Sequence, residues 1–145
     1  MKYQAMDHGV NIVTLRKNTF VYAMTCAWAM QVDDDKIVLL IGAQSQTGQQ
    51  IQEGDVLGIS ILNQEQMKLA ARIGETHSME VEKLQNTATM DINGAVVLAD
   101  SNRVLSVKVS QILHLEGIEA DKLIYATITE GKNLQQKPFL HMSDF

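Results

Sequence analysis

Cysteine, proline and tryptophan each occur only once in this chain of 145 residues. A single cysteine, Cys26, cannot form an intrachain disulfide, so we expect a reducing, cytoplasmic compartment. No apolar run approaches the roughly 20 residues of a membrane span. The first residues, MKYQAMDHG, lack the apolar segment of a secretory signal. We therefore expect neither a membrane partner nor secretion.

Basic residues are also fewer than acidic ones. The chain has 12 basic and 17 acidic residues and a formal net charge of -5, which argues against nucleic-acid binding because that function needs a basic face. The acidic run at residues 33–35 is typical of a solvated turn. The four histidines are scattered without metal-ligand spacing, so we expect no metal site. They are His8, His77, His114 and His141.

Motifs for nucleotide binding and hydrolysis are absent as well. No GxGxxG, HExxH, CxxC or GxSxG pattern is present. The segment from Gly42 to Gly48 superficially resembles a P-loop, but Gln49 and Gln50 stand where Lys and Ser or Thr are required. No cation is adjacent to Cys26 in sequence, so a packed thiol is a better interpretation than a nucleophile.

The chain does contain many runs of β-branched and aliphatic residues. About seven predicted strands and two or three short helices indicate a single, mainly β domain over residues 1–145, an antiparallel barrel or sandwich. The predicted strands are residues 9–16, 20–32, 36–42, 56–62, 95–99, 103–115 and 122–129. One helix is predicted over 47–53. A second begins at Asn63, with Gln66 in a capping box and Gly74 as its C′ stop.

The most informative stretch, residues 22–51, combines two of these strands with a small, polar loop. The loop AQSQTG follows a buried strand, so its hydroxyls and N–H groups are predicted to be available to an anionic or hydrogen-bonding ligand. Ser45 and Thr47 serve equally well as helix N-caps. Trp28 is either a core or interface anchor or the wall of a planar ligand site. Arg72 suits a solvent-exposed helix C-terminus.

Four segments in this order resemble the flavin reductase-like domain, the FMN-binding split β-barrel. They are MTCAW at 24–28, the strand and loop ending in SQTGQQI at 45–51, VLGISILNQEQMKLAARIG at 56–74, and KLIYATITEG with the later PFLH. The resemblance spans about residues 8–142. It implies a Greek-key split barrel that forms a homodimer with FMN near the interface, and NAD(P)H as a transient electron donor.

The resemblance also implies which residues meet the cofactor. The strand residues Met24, Thr25, Cys26, Ala27 and Trp28 would face the isoalloxazine, and Ser45, Gln46 and Thr47 would serve the ribityl phosphate. Arg72 is a phosphate or ribityl candidate, and Ser60 occupies a family position where Asn is usual. On this interpretation Thr47→Ala weakens FMN binding by about 1–3 kcal/mol.

Two departures from the family pattern leave the activity open. The loop has Ala43, Gln44 and Ser45 where a Lys, Asn or Arg is frequent, and Lys122 stands where His is usual. The implied function is an NAD(P)H-dependent flavin reductase or a flavoredoxin-like carrier that passes electrons to a small molecule or a protein. The alternatives are a flavin-binding dimer without NAD(P)H oxidase activity and a ligand-free dimeric barrel.

Overall fold

Nine strands dominate the computed structural model, which describes residues 5–75 and 83–145. Seven of the strands form one antiparallel sheet and two form a separate hairpin. The prediction of a mainly β, antiparallel fold is confirmed. The strands are β1 (Asn11–Lys17), β2 (Phe20–Cys26), β3 (Ala29–Asp33), β4 (Lys36–Ile41), β5 (Val56–Ile61), β6 (Thr89–Ile92), β7 (Ala95–Leu98), β8 (Arg103–Leu113) and β9 (Lys122–Asn133).

The large sheet curls because its two edge strands are consecutive in sequence. Its order is β2-β1-β5-β8-β9-β4-β3, so β2 and β3 lie at opposite edges. Only Ala27 and Trp28 separate them, a connection that reaches about 11 Å at most. The edges must therefore meet, and the sheet closes into a barrel. The prediction of one strand over residues 20–32 is wrong because the chain crosses between the edges at residues 27 and 28.

Apolar side chains pack on both surfaces of this curved sheet. The barrel interior holds aliphatic residues from six strands, including the fully buried Leu15, Leu39, Leu57 and Ile124. A second cluster lies outside the barrel, where Ala70 and Ile73 of a helix cover Ile12 and Ala23. The helices are α1 (Gln46–Gln50) and α2 (Met67–Gly74), with 3-10 turns at Gln64–Gln66 and Met142–Asp144.

The β6–β7 hairpin packs against the barrel beside β5. The predicted Asn93-Gly94 turn is confirmed, and both residues have positive φ, 41° and 84°, as a two-residue hairpin turn requires. Gly58 makes the packing possible, since a Cβ there would lie 2.1 Å from the Val96 carbonyl oxygen. The Thr14 hydroxyl donates to that same oxygen. Strand β6 was not predicted because its four residues carry little apolar pattern.

The start of the second helix follows its sequence signals and its end does not. Asn63 accepts a hydrogen bond from the Glu65 N–H (3.1 Å), and Gln66 Oε1 accepts from the Asn63 N–H (3.1 Å), so the capping box is confirmed. Gly74 is the last helical residue rather than a C′ stop, and Glu75 caps the helix with φ -91°. The predicted loop over 75–85, which contains His77, lies mostly outside the described residues. No helix within the described ranges is long and apolar enough to cross a membrane.

Candidate functional site

Ser45 organises the loop between β4 and α1. Its side chain accepts a hydrogen bond from the Gly48 N–H (3.0 Å), so the prediction of Ser45 as an N-cap is confirmed. Its own N–H donates to the Gly42 carbonyl oxygen (3.1 Å). Its hydroxyl also lies 3.3 Å from Met24 Sδ on β2. The structure therefore places the polar loop next to the strand that carries the MTCAW segment.

Helix α1 turns inward from this loop and closes one end of the barrel. Thr47 is 1 % exposed and contacts other residues of the protein. A Cβ at Gly48 would lie 2.4 Å from Ile41 Cγ2, and Ile51 just after the helix is 1 % exposed. One face of the helix thus belongs to the core, and the solvent-facing part of the loop is residues 42–44.

The hydrogen bonds around the loop involve neutral groups and one carboxylate. Asp121 Oδ1 accepts from the Ala43 N–H (2.8 Å), and Gln49 Nε2 donates to the Ala43 carbonyl oxygen (3.3 Å). Lys122, the residue that stands where the family has His, donates through Nζ to the Ile51 carbonyl oxygen (2.8 Å). Desolvation lowers the pKa of Lys122. This cation therefore supports the end of α1 through that hydrogen bond.

The last residues of β2 are engaged with the protein through their side chains. Thr25 Oγ1 donates to the Ala70 carbonyl oxygen (2.7 Å) on α2. Cys26 is 3 % exposed, and its Sγ lies 3.8 Å from the Trp28 carbonyl oxygen and 3.9 Å from that of Leu40. Burial raises the pKa of Cys26 to about 11. Such a thiol stays protonated at neutral pH, which fits a packed residue rather than a nucleophile.

Trp28 lies on the outer surface of the barrel. It is 43 % exposed, so it is not a core anchor, while the interface and ligand-wall interpretations both remain compatible with its position. It lines a shallow apolar groove of about 300 Å³ with His8, Met30, Leu40 and Leu123. The neighbouring Ala27 is half-buried. An aromatic face, an apolar groove and the loop that follows Leu40 therefore adjoin one another.

Arg72 and Ser60 lie apart from this arrangement. Successive residues of a strand face opposite surfaces of the sheet, so Met24 contacts the loop and Thr25 contacts α2. Arg72 on α2 donates to the Lys83 carbonyl oxygen (3.2 Å) and lines a polar cleft of about 490 Å³. Ser60 is fully buried, and its hydroxyl accepts from the Leu98 N–H (2.9 Å).

Two polar residues that contact the loop and strand β2 carried no local signal in the sequence. Asp121, predicted only as part of a turn, reaches the Ala43 N–H from 78 positions away. Lys83 donates through Nζ to the Ala23 carbonyl oxygen on β2 (2.9 Å), and desolvation lowers its pKa. Both contacts join segments distant in sequence, so they become visible only once the barrel is folded.

Comparisons with known proteins place this geometry in context. The sequence profile of the flavin reductase like domain matches residues 3–143. No curated protein sequence matches the chain. The crystal structure of a proposed flavin reductase from Haemophilus somnus 129pt is 19% identical, with a TM-score of 0.84 over 94% of this chain and 86% of that one.

Two further solved structures share the fold. The NADH:FAD oxidoreductase SgcE6 of Streptomyces globisporus is 15% identical, with a TM-score of 0.82 over 94% of this chain and 81% of that one. Flavoredoxin from Methanosarcina acetivorans is 13% identical, with a TM-score of 0.79 over 91% of this chain and 74% of that one. The predicted split-barrel architecture is confirmed, and because the profile spans nearly the whole sequence, the chain belongs to the flavin reductase-like domain family.

Proposed function

We propose that this protein binds FMN and acts as an NAD(P)H-dependent flavin reductase or as a flavoredoxin-like electron carrier. The observation that carries the proposal is the family profile over residues 3–143, in a chain whose polar loop meets the MTCAW strand through the Ser45–Met24 contact (3.3 Å). The solved structures of similar fold include an NADH:FAD oxidoreductase and a flavoredoxin.

The residues present suit a flavin held mainly by neutral groups. The exposed loop at residues 42–44 would offer backbone and side-chain donors to a phosphate, and the half-buried Gln46 lies next to it. Trp28 offers an exposed aromatic face to a planar ring, beside an apolar groove. A bound flavin would supply hydride and electron transfer, so the protein needs only to bind and orient it. No general acid or base is required of the side chains.

We also propose that a second copy of the chain covers the outer face of β3. This edge strand exposes Met30 (61 %) and Val32 (45 %), next to Trp28 (43 %). A contiguous apolar patch on an edge strand is a favourable surface for association. In such a homodimer the groove beside Trp28 becomes enclosed, which would shield a flavin ring from water. The acceptor of its electrons would be a small molecule or another cytoplasmic protein.

The absorption spectrum of the purified protein tests the proposal directly. We expect a retained flavin band after FMN is added and the excess is removed. Because Trp28 is the only tryptophan, its fluorescence independently reports a flavin bound nearby. We expect FMN to quench that emission, with a titration midpoint equal to the one seen by absorbance. Protein that takes up no FMN would refute the proposal.

A pair of substitutions tests whether the flavin ring lies against Trp28. Trp28→Leu removes the aromatic face and is expected to weaken FMN binding about tenfold, since an aromatic stacking contact contributes about 0.5–1.5 kcal/mol. Met67→Leu changes an exposed apolar side chain on α2, which lies apart from the groove, and is the control. Equal FMN affinity in both variants would show that the flavin ring does not contact Trp28.

The position of Lys122 favours a second candidate, a flavin-binding dimer that does not oxidise NAD(P)H. Its ammonium group donates to the Ile51 carbonyl oxygen (2.8 Å), so it is already bound within the protein at the position where the family resemblance expects His. Steady-state oxidation of NADH and NADPH with FMN present separates the two. Turnover well above the rate with FMN alone supports the reductase, and turnover at that background rate supports the binding module.

A further inference from the structure

A cavity of about 390 Å³ lies at the opposite end of the barrel from α1. We call it the barrel mouth. It lies between the β3–β4 hairpin and the ends of β5, β8 and β9, and every residue that lines it belongs to the described part of the chain. The lining comprises Asn11, Ala29, Met30, Gln31, Asp34, Ile37, Ile59, Ile61, Arg103, Leu105, Ile128, Gly131, Lys132 and Asn133.

The floor of the barrel mouth is aliphatic. Ile37, Ile59 and Ile128 come from three different strands. Gly131 keeps the space open, because a Cβ there would lie 2.9 Å from Leu105 Cδ2 and would force that side chain to move. A volume of this size with apolar walls is in the range of small-molecule sites. The body of a fitting ligand is therefore compact and apolar.

Charge at the rim favours a negative group on that ligand. Arg103 lines the mouth, and it forms no ion pair with any described carboxylate. Lys132 also belongs to the lining, but it pairs with Val104 in the β8–β9 register, so its side chain projects from the other face of the sheet. The Arg103 guanidinium lies over the Phe139 ring, 5.1 Å from its centroid, which steadies its position. Asp34 is the one acidic residue in the lining. Arg103 is therefore the cationic group that the rim presents to an anion.

We propose that the barrel mouth binds a compact amphipathic anion, such as an aromatic monocarboxylate, with its apolar body on the isoleucine floor and its carboxylate at Arg103. An arginine fork suits a carboxylate particularly well. This site goes beyond the proposed flavin function. Along β4 the mouth residue Ile37 is four residues from Ile41, where the polar loop begins, a separation of about 13 Å.

Calorimetric titration with 2-naphthoate tests the proposal, with 2-naphthylmethanol as the uncharged analogue. We expect naphthoate to bind at one site per chain, at least tenfold tighter than the alcohol. Arg103→Gln should remove most of that preference. Lys108→Gln, an exposed cation elsewhere on β8, is the matched control and should leave it unchanged. Equal affinity for acid and alcohol, or an equal loss in both variants, would overturn the assignment.

Filling the cavity provides a second, independent variant. Gly131→Val places two methyl groups against Leu105 and should abolish naphthoate binding, while Gly131→Ala should weaken it. Thermal melting of each variant shows whether it is folded. If the valine variant does not fold, the alanine variant provides the test. Unchanged naphthoate affinity in a folded Gly131→Val protein would overturn the proposal.

Ala29 and Met30 line both the mouth and the Trp28 groove, so the two sites must be distinguished. Naphthoate is titrated into the protein with and without saturating FMN. We expect the same affinity in both titrations. Competition by FMN would show that naphthoate occupies the flavin site, which would overturn the proposal of a separate site. If the protein binds naphthoate but takes up no FMN, the result supports the barrel mouth and refutes only the flavin function.

Discussion

The two ends of the barrel are built differently. At one end α1 folds inward, Gly48 packs against Ile41, and Ile51 is 1 % exposed. At the other end no helix of the described chain enters, and the barrel mouth remains as a cavity of about 390 Å³. The same seven strands thus finish in a closed end and an open end.

Because the two ends differ, a ligand would contact different kinds of groups at each end. At the closed end Thr47, Gly48 and Ile51 are buried, so a ligand can reach only the loop rim at residues 42–46 and the exposed Gln49 and Gln50. At the open end aliphatic side chains themselves line the cavity, and the charged groups stand around its edge. A polar tail suits the closed end, and an apolar body suits the open one.

Removing the residue that fills the closed end should have the largest effect. Ile51→Ala deletes a fully buried side chain, and we expect the free energy of unfolding to fall by about 2–4 kcal/mol. Urea denaturation measures the change. Gln50→Ala, at an exposed position of the same helix, is the control and should cost less than about 0.5 kcal/mol. Similar losses in the two variants would show that α1 does not close the barrel.

Glycine substitutions on either side of the loop sharpen the comparison. Gly48→Ala places a Cβ 2.4 Å from Ile41 Cγ2, so α1 must shift, and we expect a loss of about 1–3 kcal/mol. Gly42→Ala meets nothing closer than Asp121 Oδ1 at 3.9 Å and should be nearly neutral. The difference between the two melting temperatures is the readout, and its absence would argue that α1 is loosely packed.

Loss of the helix cap should have a smaller effect on stability. Ser45→Ala removes the acceptor of the Gly48 N–H bond (3.0 Å), and we expect the protein to lose about 1 kcal/mol. Ser45→Asn keeps an acceptor and is the control. If the loop binds phosphate, Ser45→Ala also weakens FMN relative to riboflavin, whereas a pure stability effect leaves that ratio unchanged.

The sequence signals that predicted the fold were the local ones. Aliphatic runs predicted most strands, and Asn63 with Gln66 predicted the start of α2. The break of the long strand at residues 27 and 28 left no such signal, because it depends on where β2 and β3 lie in the closed sheet. Strand β6 was missed for a similar reason. Its pairing with β7 through the Asn93-Gly94 turn defines it more than its own four residues do.

The candidate site was predictable in part. Ser45 as a cap followed from its position before a short helix, and its contact with Met24 bears out their proximity. Burial could not be read locally. Thr47 was predicted as a phosphate donor but is 1 % exposed, so Thr47→Ala is expected to lower stability as well as any FMN affinity. Ser60 is likewise buried, and its hydroxyl accepts a hydrogen bond from the Leu98 N–H of the hairpin.

The smallest predicted effect concerns the ion pair beside the closed end. Lys17 Nζ lies 2.9 Å from Asp55 Oδ2, and the two side chains are 30% and 20% exposed. Arg16, which is next to Lys17 on β1, forms an ion pair with Asp91 of β6 at 3.1 Å. The side chains of this second pair are 43% and 66% exposed. Water and salt screen exposed pairs more strongly, so their coupling is weaker.

Double-mutant cycles measure both couplings. We expect about 0.5–1 kcal/mol for Lys17 with Asp55 and about 0.2 kcal/mol for Arg16 with Asp91. Asp55 Oδ2 also accepts from the Gln52 N–H (2.8 Å), so Asp55→Asn rather than Asp55→Ala isolates the charge. Raising the salt concentration should reduce the second coupling more than the first. Equal couplings in both cycles would mean that packing at the closed end does not shield its ion pair from solvent.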